Sequence, residues 1–438
     1  MVRGMEMSFA ESLSEKERKR AQFYALCSCL SGCVSEIMLD SSAIIIIYFT
    51  LLDGGDMLTM LGASFTSLMG ALLYIPACII ITRLGMMKVV KYSCLTGCSG
   101  YLIMAAAPFF GSAAKFVALA GCLVYSIQRS CYGATWYPLL DVFLRPQDRA
   151  RFFGMMRFVY TCTIGVLFFV IGLLMKKDPP IIFLQIVLAV TGLLVMGRYL
   201  CISKFPRDPD AVPENPDVKK GLSISIKNGP LTSYSVYLCL LVIAFTSLTP
   251  LTYIYLTKYV ELNDGTVQII SSVGLGGSMI GYFCYGKVFN NMKLKYLELL
   301  CHLLYTIVAF GLFAVDKSMP GFPVFAGIMI FLASFAYSLF MCNNSAELLA
   351  LGRPGNKTMA MAFVQTYSCL GGAIGRIGTS LILGTSMLAP VWMLGNREIS
   401  RYQTFFLISG VMLFILLFLL PTLPSFIPKH DDYYEPKR

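Results

Sequence analysis

Four ionisable side chains stand far from any polar stretch of this chain: Glu36, Asp40, Arg129 and Arg376. Glu36 lies 16 residues after Arg20 and 17 before Asp53, and Asp40 follows one helical turn later on the same face. Arg129 is 14 residues past Lys115 and 12 short of Asp141. Each would cost about 2.5–3.5 kcal/mol at the middle of a bilayer on insertion scales, so such groups are expected to face water or one another. A carboxyl in a poorly hydrated cavity holds its proton more tightly, and a neighbouring arginine loosens it. A solute that competes for the arginine then changes the proton affinity. Glu36 and Asp40 are therefore the candidate coupling groups. Arg129 and Arg376 are candidate solute contacts, because a guanidinium offers a fixed fork to carboxylate or phosphate. The plain alternative is a static ion pair that ties helices together. For Arg376 it carries equal weight, since Gly371, Gly372, Gly375 and Gly378 mark that segment for close packing.

Gln128, Tyr132, Trp136 and Tyr137 share a segment with Arg129, and Tyr132 and Trp136 follow Gln128 at one and two turns. The first three join the candidate solute contacts. Thr246, Ser247, Thr249 and Thr252 line another segment, in which Pro250 is a candidate break. Serine, threonine and aromatic residues are also ordinary packing and interface residues of membrane helices. Cys29, Cys33, Glu36 and Asp40 recur on one helical face, but a soft-metal path wants thiolates with histidine, and the chain has only His302 and His430. No metal and no cofactor are expected.

The elements that must position these groups are dictated by composition. Of 438 residues, 57% are hydrophobic and 13% charged, and the mean hydropathy is +0.70. Charged residues usually make up about 25%. This excludes a disordered chain and a water-soluble globule, and leaves one whose solvent is largely lipid. Apolar segments run at about 21–52, 57–82, 89–111, 114–141, 153–175, 180–202, 230–257, 265–287, 296–315, 321–348, 358–384 and 402–427. At about 20 residues per crossing these predict twelve transmembrane helices, because backbone polar groups in lipid must be satisfied within the segment.

An even number of spans puts both termini on one side. With that side inside, 24 Lys and Arg fall in inside segments against 7 in outside loops, which places the termini in the cytoplasm. The net charge of +11 then reflects basic loops, not a nucleic-acid partner. The 15 cysteines lie mostly in apolar stretches and read as packing residues without a disulfide framework. The polar first 20 residues and the long first apolar run do not make a cleavable signal peptide.

The predicted organisation is a cytoplasmic tail 1–20, a six-helix bundle 21–203, a cytoplasmic linker 204–229, a second six-helix bundle 230–427 and a cytoplasmic tail 428–438. Pro206, Pro209, Pro213 and Pro216 mark the linker. The halves repeat at an offset of 208: Asp53 to Asp56 meets Glu261 to Asp264, Arg145-Pro146 meets Arg353-Pro354, and Arg149 meets Lys357. Tyr337 takes the repeat position of Arg129, flanked by Ser334 and Ser338, and is a further candidate solute contact. Repeated membrane halves around a linker are a transporter signature, with the solute held near the midplane. Arg157, at the inner end of the fifth span near Asp141, reads as a cytoplasmic latch or as a snorkelling surface charge. Glu347 near Arg353 or Lys357 is its counterpart.

Over its whole length this arrangement resembles the major facilitator superfamily. That family's loop between its second and third helices reads G-x-x-x-D-R-x-G-R-K. Here Cys78 to Lys88 supplies Arg83 and Gly85, with Thr82 at the aspartate position, and Asn290 takes the acidic position of the equivalent loop Gly286 to Lys293. Asp141 to Arg157 is similar to the family's fourth-to-fifth connection. The resemblance implies a gate or latch at Arg83, Gly85, Asp141, Arg157 and Asn290, hydrogen-bonded where the family uses charge. It implies that the first and fourth helices line a central cavity, bringing Glu36 or Asp40 near Arg129, and that the protein is a monomer. The proline of the drug–proton antiporter signature is absent from Thr161 to Leu167.

The expected function is a secondary active transporter of a small polar solute, an organic anion, by proton-coupled alternating access at the plasma (inner) membrane. Its partners are the solute, a proton or sodium ion and the bilayer. The runner-up is a cation-coupled sugar or glycoside symporter, followed by a lipid or drug carrier. His-Glu-x-x-His, Gly-x-Ser-x-Gly and the phosphate loop are all absent, so an enzyme is not expected.

Overall fold

The computed structural model describes residues 9–423 apart from 42, 175–179, 208–216, 263, 290–291, 315, 317–318, 353–355 and 385–386. Its helices are α1 (Phe9–Ser12), α2 (Glu15–Ser41), α3 (Ala43–Leu51), α4 (Gly55–Leu84), α5 (Met86–Ala106), α6 (Ala114–Asp141), α7 (Arg149–Leu174) and α8 (Ile181–Ile202). They continue with α9 (Val218–Lys227), α10 (Gly229–Phe245), α11 (Leu248–Lys258), α12 (Asp264–Lys287), α13 (Leu294–Ala314), α14 (Phe322–Leu351), α15 (Lys357–Gly384) and α16 (Arg401–Leu419). Each of the twelve apolar segments is thus largely helical among the described residues. Among the described residues, nine stretches are long and apolar enough to cross a membrane.

Local chemistry sets several boundaries. Helix α2 begins at Glu15, earlier than hydropathy suggests, because Ser14 and Glu17 close its first turn: the serine backbone N–H and hydroxyl donate to the carboxylate at 3.1 and 2.6 Å. Gly85 separates α4 from α5 with φ +82°, and its N–H returns to the Ile81 carbonyl at 2.8 Å. A side chain there would be strained. The segment around Pro250 is divided between α10 and α11 at Thr246 and Ser247. Thr246 is the fourth residue before the proline, whose ring cannot accommodate an unbroken helix at that carbonyl.

Two elements depart from the sequence expectation. The second half of the linker is the helix α9, capped by Asp217, which accepts from the backbone N–H groups of Lys219 and Lys220 at 3.0 and 3.2 Å. The loop before α16 holds an antiparallel hairpin, β1 (Val391–Leu394) and β2 (Arg397–Ser400), turning at Gly395 with φ +62°. Ser400 then forms a capping box with Gln403 at the start of α16.

Two units can be distinguished. The first comprises Met1–Phe152, Val159–Asn228 and Gly352–Cys369, and the second Phe153–Phe158, Gly229–Leu351 and Leu370–Arg438. Each includes a helical stretch from the other half of the sequence, 357–369 of α15 in the first and 153–158 of α7 in the second. In the first unit, Met359 and Ala362 of α15 are buried in one cluster with Tyr74, Ala77, Cys78 and Ile81 of α4 and with Cys131 and Ala134 of α6. Asn356 fixes α9 to the same place, its amide donating to the Gly221 carbonyl and the Ser225 hydroxyl, both at 3.1 Å.

Candidate functional site

The first unit brings α2, α4, α6 and α8 together around two ion pairs. Arg129 of α6 donates through Nη1 to Asp40 Oδ2 of α2, and Thr66 of α4 donates to Asp40 Oδ1 at 2.8 Å. Both carboxylate oxygens therefore have partners. The pair is only partly covered, with side-chain exposures of 30% for Arg129 and 21% for Asp40.

The second pair is Glu36 with Arg198, whose Nη1 donates to Oε1 at 2.6 Å. Arg198 lies on α8 and is 1% exposed, against 25% for Glu36. Its guanidinium is stacked 3.8 Å from the centre of the Tyr132 ring, and its Nη2 reaches the Cys33 sulfur at 3.8 Å. Gly32 makes this possible: a β-carbon there would overlap the guanidinium. The helical face that carries Cys33, Glu36 and Asp40 is thus the face that meets both arginines. Arg198 was the component missed by sequence reasoning. It lies five residues from the polar end of its segment, at Ser203, where a long cationic side chain ordinarily snorkels to the interface. The available signal was parity: two acids on one helix face require two cations.

The remaining candidates divide. Trp136 packs on Tyr132 with ring centres 5.5 Å apart, and both are largely buried. The Tyr132 hydroxyl is buried and has no hydrogen-bond partner. Gln128 departs from the expected role. It is fully buried, its side chain lies against Gly97 of α5, and neither amide atom has a hydrogen-bond partner. It sits one residue, about 100° of helix, away from Arg129 and faces the packing between helices. Tyr337 and Arg376 belong to the second unit. Tyr337 is 41% exposed and tilts against Phe245 at 6.2 Å, and Arg376 is half-buried on α15.

The expected latch also resolves differently in detail. Asp141 accepts from Arg149 Nη2 and Lys357 Nζ, one on each oxygen. Arg157, expected near Asp141, instead donates to Ser345 at 2.7 Å. The reason is helical phase: Arg157 is eight residues past Arg149 on α7, and its stretch packs with α12, where Gly154 adjoins Gly286. Lys357, one of the two cations expected near Glu347, donates to Asp141. Arg83 is exposed at the end of α4, and Thr82 spends its hydroxyl on the Ile79 carbonyl of its own helix at 2.9 Å. Asn290 lies outside the described residues.

A family model described as the Major Facilitator Superfamily matches residues 25–376. Among solved structures, the proton:xylose symporter XylE bound to 6-bromo-6-deoxy-D-glucose aligns with a TM-score of 0.73 at 10% identity, over 94% of this chain and 96% of its own. A bacterial homologue of the iron transporter ferroportin, outward-facing with soaked iron, aligns at 0.69 and 11% identity, over 94% and 99%. The human organic anion transporter MFSD10 aligns at 0.58 and 14% identity, over 93% and 100%. At these identities the likeness concerns the fold. No curated protein sequence matches.

Proposed function

Because the chain belongs to the major facilitator superfamily, and is therefore a multi-pass membrane transporter of twelve helices in two bundles, we propose that it carries a small organic anion by proton-coupled alternating access. The observation that supports this reading most directly is the partly exposed Asp40–Arg129 pair. While Asp40 is ionised it occupies the guanidinium. Protonation of Asp40 removes the competing charge, and the fork of Arg129 is then free for a solute carboxylate or phosphate. Binding of proton and anion become mutually favourable, which is the thermodynamic content of symport. Thr66 keeps the carboxyl in place by its hydrogen bond in either state.

Glu36 has the same role with a different constraint. Arg198 is almost wholly enclosed and cannot exchange its partner for a bulky solute. Glu36 therefore sets the field around the site and takes part in coupling through it. Tyr132 and Trp136 form an aromatic wall on the arginine side; Tyr337 and Arg376, within the second unit, are proposed as solute contacts in their own right. Asp141 with Arg149 and Lys357 is the cytoplasmic latch, with Arg157–Ser345 as a second fastening. Gly85 supplies the turn beside Arg83, and Asn290 keeps the gate role that its sequence position gives it in the other half. The membrane is the plasma membrane, the termini are cytoplasmic, and the protein acts as a monomer.

A second reading has its own observation. Arg129 and Arg198 are both balanced by carboxylates, so the first unit's part of the site is neutral. That also suits a sugar or glycoside moved with a cation. Proteoliposome uptake under an imposed pH gradient distinguishes the two. A panel of small carboxylates and organic phosphates should accumulate in response to inward acid, and sugars should not. Arg129→Ala should abolish accumulation, and Asp40→Asn should leave equilibrative binding of the anion without gradient-driven concentration. Gradient-driven anion uptake persisting in both variants would remove the assignment.

A further inference from the structure

Six exposed cations of the first unit take no part in the ion pairs described above. Arg83 is in the last turn of α4, Lys88 and Lys91 are in the first two turns of α5, and Lys219, Lys220 and Lys227 are on α9. Other cations of the same unit are paired, Lys19 with Glu15 and Arg145 with Asp148, both at 2.7 Å. Among the described residues, none of these six side chains has an ion-pair or hydrogen-bond partner. Residues 81–95 and 217–229 contain one carboxylate, Asp217, and it accepts from the backbone N–H groups of Lys219 and Lys220. The surface they share is therefore strongly positive.

Helix α9 is held by the side opposite its lysines. Gly221 and Ser225 are buried, and both accept from the Asn356 amide. Val218 and Leu222 pack against the cluster that includes Ile81 of α4 and Val89 of α5. At about 100° per residue, these four positions centre on one side of the helix and Lys219, Lys220 and Lys227 on the other. Ile226 is exposed beside Lys227, and α10, which opens a stretch apolar enough to cross a membrane, begins two residues later at Gly229.

The lysines of α5 continue into lipid-facing surface. Lys88, Tyr92, Leu95 and Leu102 follow at four-, three- and seven-residue steps, and all are exposed. They lie within the membrane-crossing stretch Met86–Asp141. A cation, a tyrosine and two leucines give, in order, the headgroup, interface and acyl levels of one leaflet. From Lys88 to Leu102 the helix rises about 21 Å, close to half of the roughly 40–45 Å bilayer with its headgroups.

We propose that this face is a docking surface for anionic phospholipid. Lys88 and Lys91, with Arg83 beside them, hold the phosphate. The acyl chains follow the stripe of α5, and the basic side of α9 lies on further anionic headgroups. An acidic soluble protein would match the charge but not the apolar stripe that continues it. Lipid binding here is independent of the solute carried.

Native mass spectrometry of the full-length protein tests this, with dioleoyl phosphatidylglycerol as the probe and dioleoyl phosphatidylcholine as its zwitterionic control. The native protein should retain phosphatidylglycerol in preference. A lysine near an anionic membrane surface contributes about fivefold in affinity. Lys88→Gln with Lys91→Gln should therefore lower the preference at least about tenfold, and so should Lys219→Gln with Lys220→Gln and Lys227→Gln. All five positions are exposed, so the substitutions leave the packing intact. Lys115→Gln, at the start of α6 and away from the patch, should leave the preference unchanged. A preference unaltered in either set of variants, or lowered as much by Lys115→Gln, overturns the proposal. Displacement of phosphatidylglycerol by soluble glycerol 3-phosphate would show recognition of a free phosphate and overturn the lipid assignment.

Discussion

Arg198 stacks its guanidinium on the ring of Tyr132 at 3.8 Å, so the charge of the sixth membrane segment is delivered to the aromatic wall of the fourth. The same guanidinium is held at its edge by Glu36 at 2.6 Å. Neither contact would suffice alone in a region nearly closed to water. Together they compensate a charge that is 1% exposed.

Breaking this arrangement from one side should therefore cost more than removing it altogether. Glu36→Gln leaves an enclosed cation without its counter-ion, and about 3–5 kcal/mol of stability should be lost. The double variant Glu36→Gln with Arg198→Leu should recover most of that. Thermal denaturation of the purified protein checks this as a double-mutant cycle. With Arg198→Leu alone completing the cycle, losses in the two single variants that simply add in the double variant would show that the pair contributes nothing.

Gly32 should tolerate no side chain. A methyl group there overlaps the Arg198 guanidinium, and displacing so enclosed a group should cost about 1–3 kcal/mol, as overpacking does. Gly32→Ala should lower the melting temperature in the native background and much less in Arg198→Leu, where the space is vacated.

Gln128 makes the opposite prediction. Its two amide atoms are buried without partners, and an unsatisfied buried polar group costs about 1–3 kcal/mol. Gln128→Leu, similar in length and without polar atoms, should therefore raise the melting temperature and leave uptake intact. Loss of uptake with improved stability would return Gln128 to the solute site.

Asp141 anchors the start of α15 through Lys357. Asp141→Asn removes the charge that holds both Lys357 and Arg149, and about 1.4 kcal/mol of lost local stability corresponds to a tenfold change in opening. Hydrogen–deuterium exchange over residues 357–369 should accelerate about tenfold, with exchange in α13 unchanged. Exchange unaltered in both regions would show that the contact fastens nothing.

What the sequence made legible follows from how strongly lipid constrains a chain. Twelve helical segments are readable because each backbone group must be satisfied locally, and Ala114–Asp141 matches its apolar segment to the residue. The approach of Asp40 to Arg129 was also legible, since mid-segment charges have few places to go. Helix phase was not. Whether Asp40 or Glu36 would take Arg129 depends on tilt and rotation, which packing decides. Arg198 resembled a snorkelling residue, and Arg157 looked close to Asp141 because the chain distance is short, although α7 turns it toward Ser345. The Glu298 carboxyl was hidden for another reason. It lies near the polar loop 287–295, so hydropathy treats it as a surface charge, and only its 4% exposure and the hydrogen bond from Asn343 reveal it as enclosed.

The reciprocal exchange of helical stretches has an implication for how the protein can be made. Residues 153–158 are counted with the C-terminal unit and 352–369 with the N-terminal one. A gene severed within the 208–216 stretch would yield two polypeptides, each missing a strip of its own interior. Synthesised separately, either piece should be rapidly degraded. Co-expressed, they should rescue one another, each completing its partner's fold.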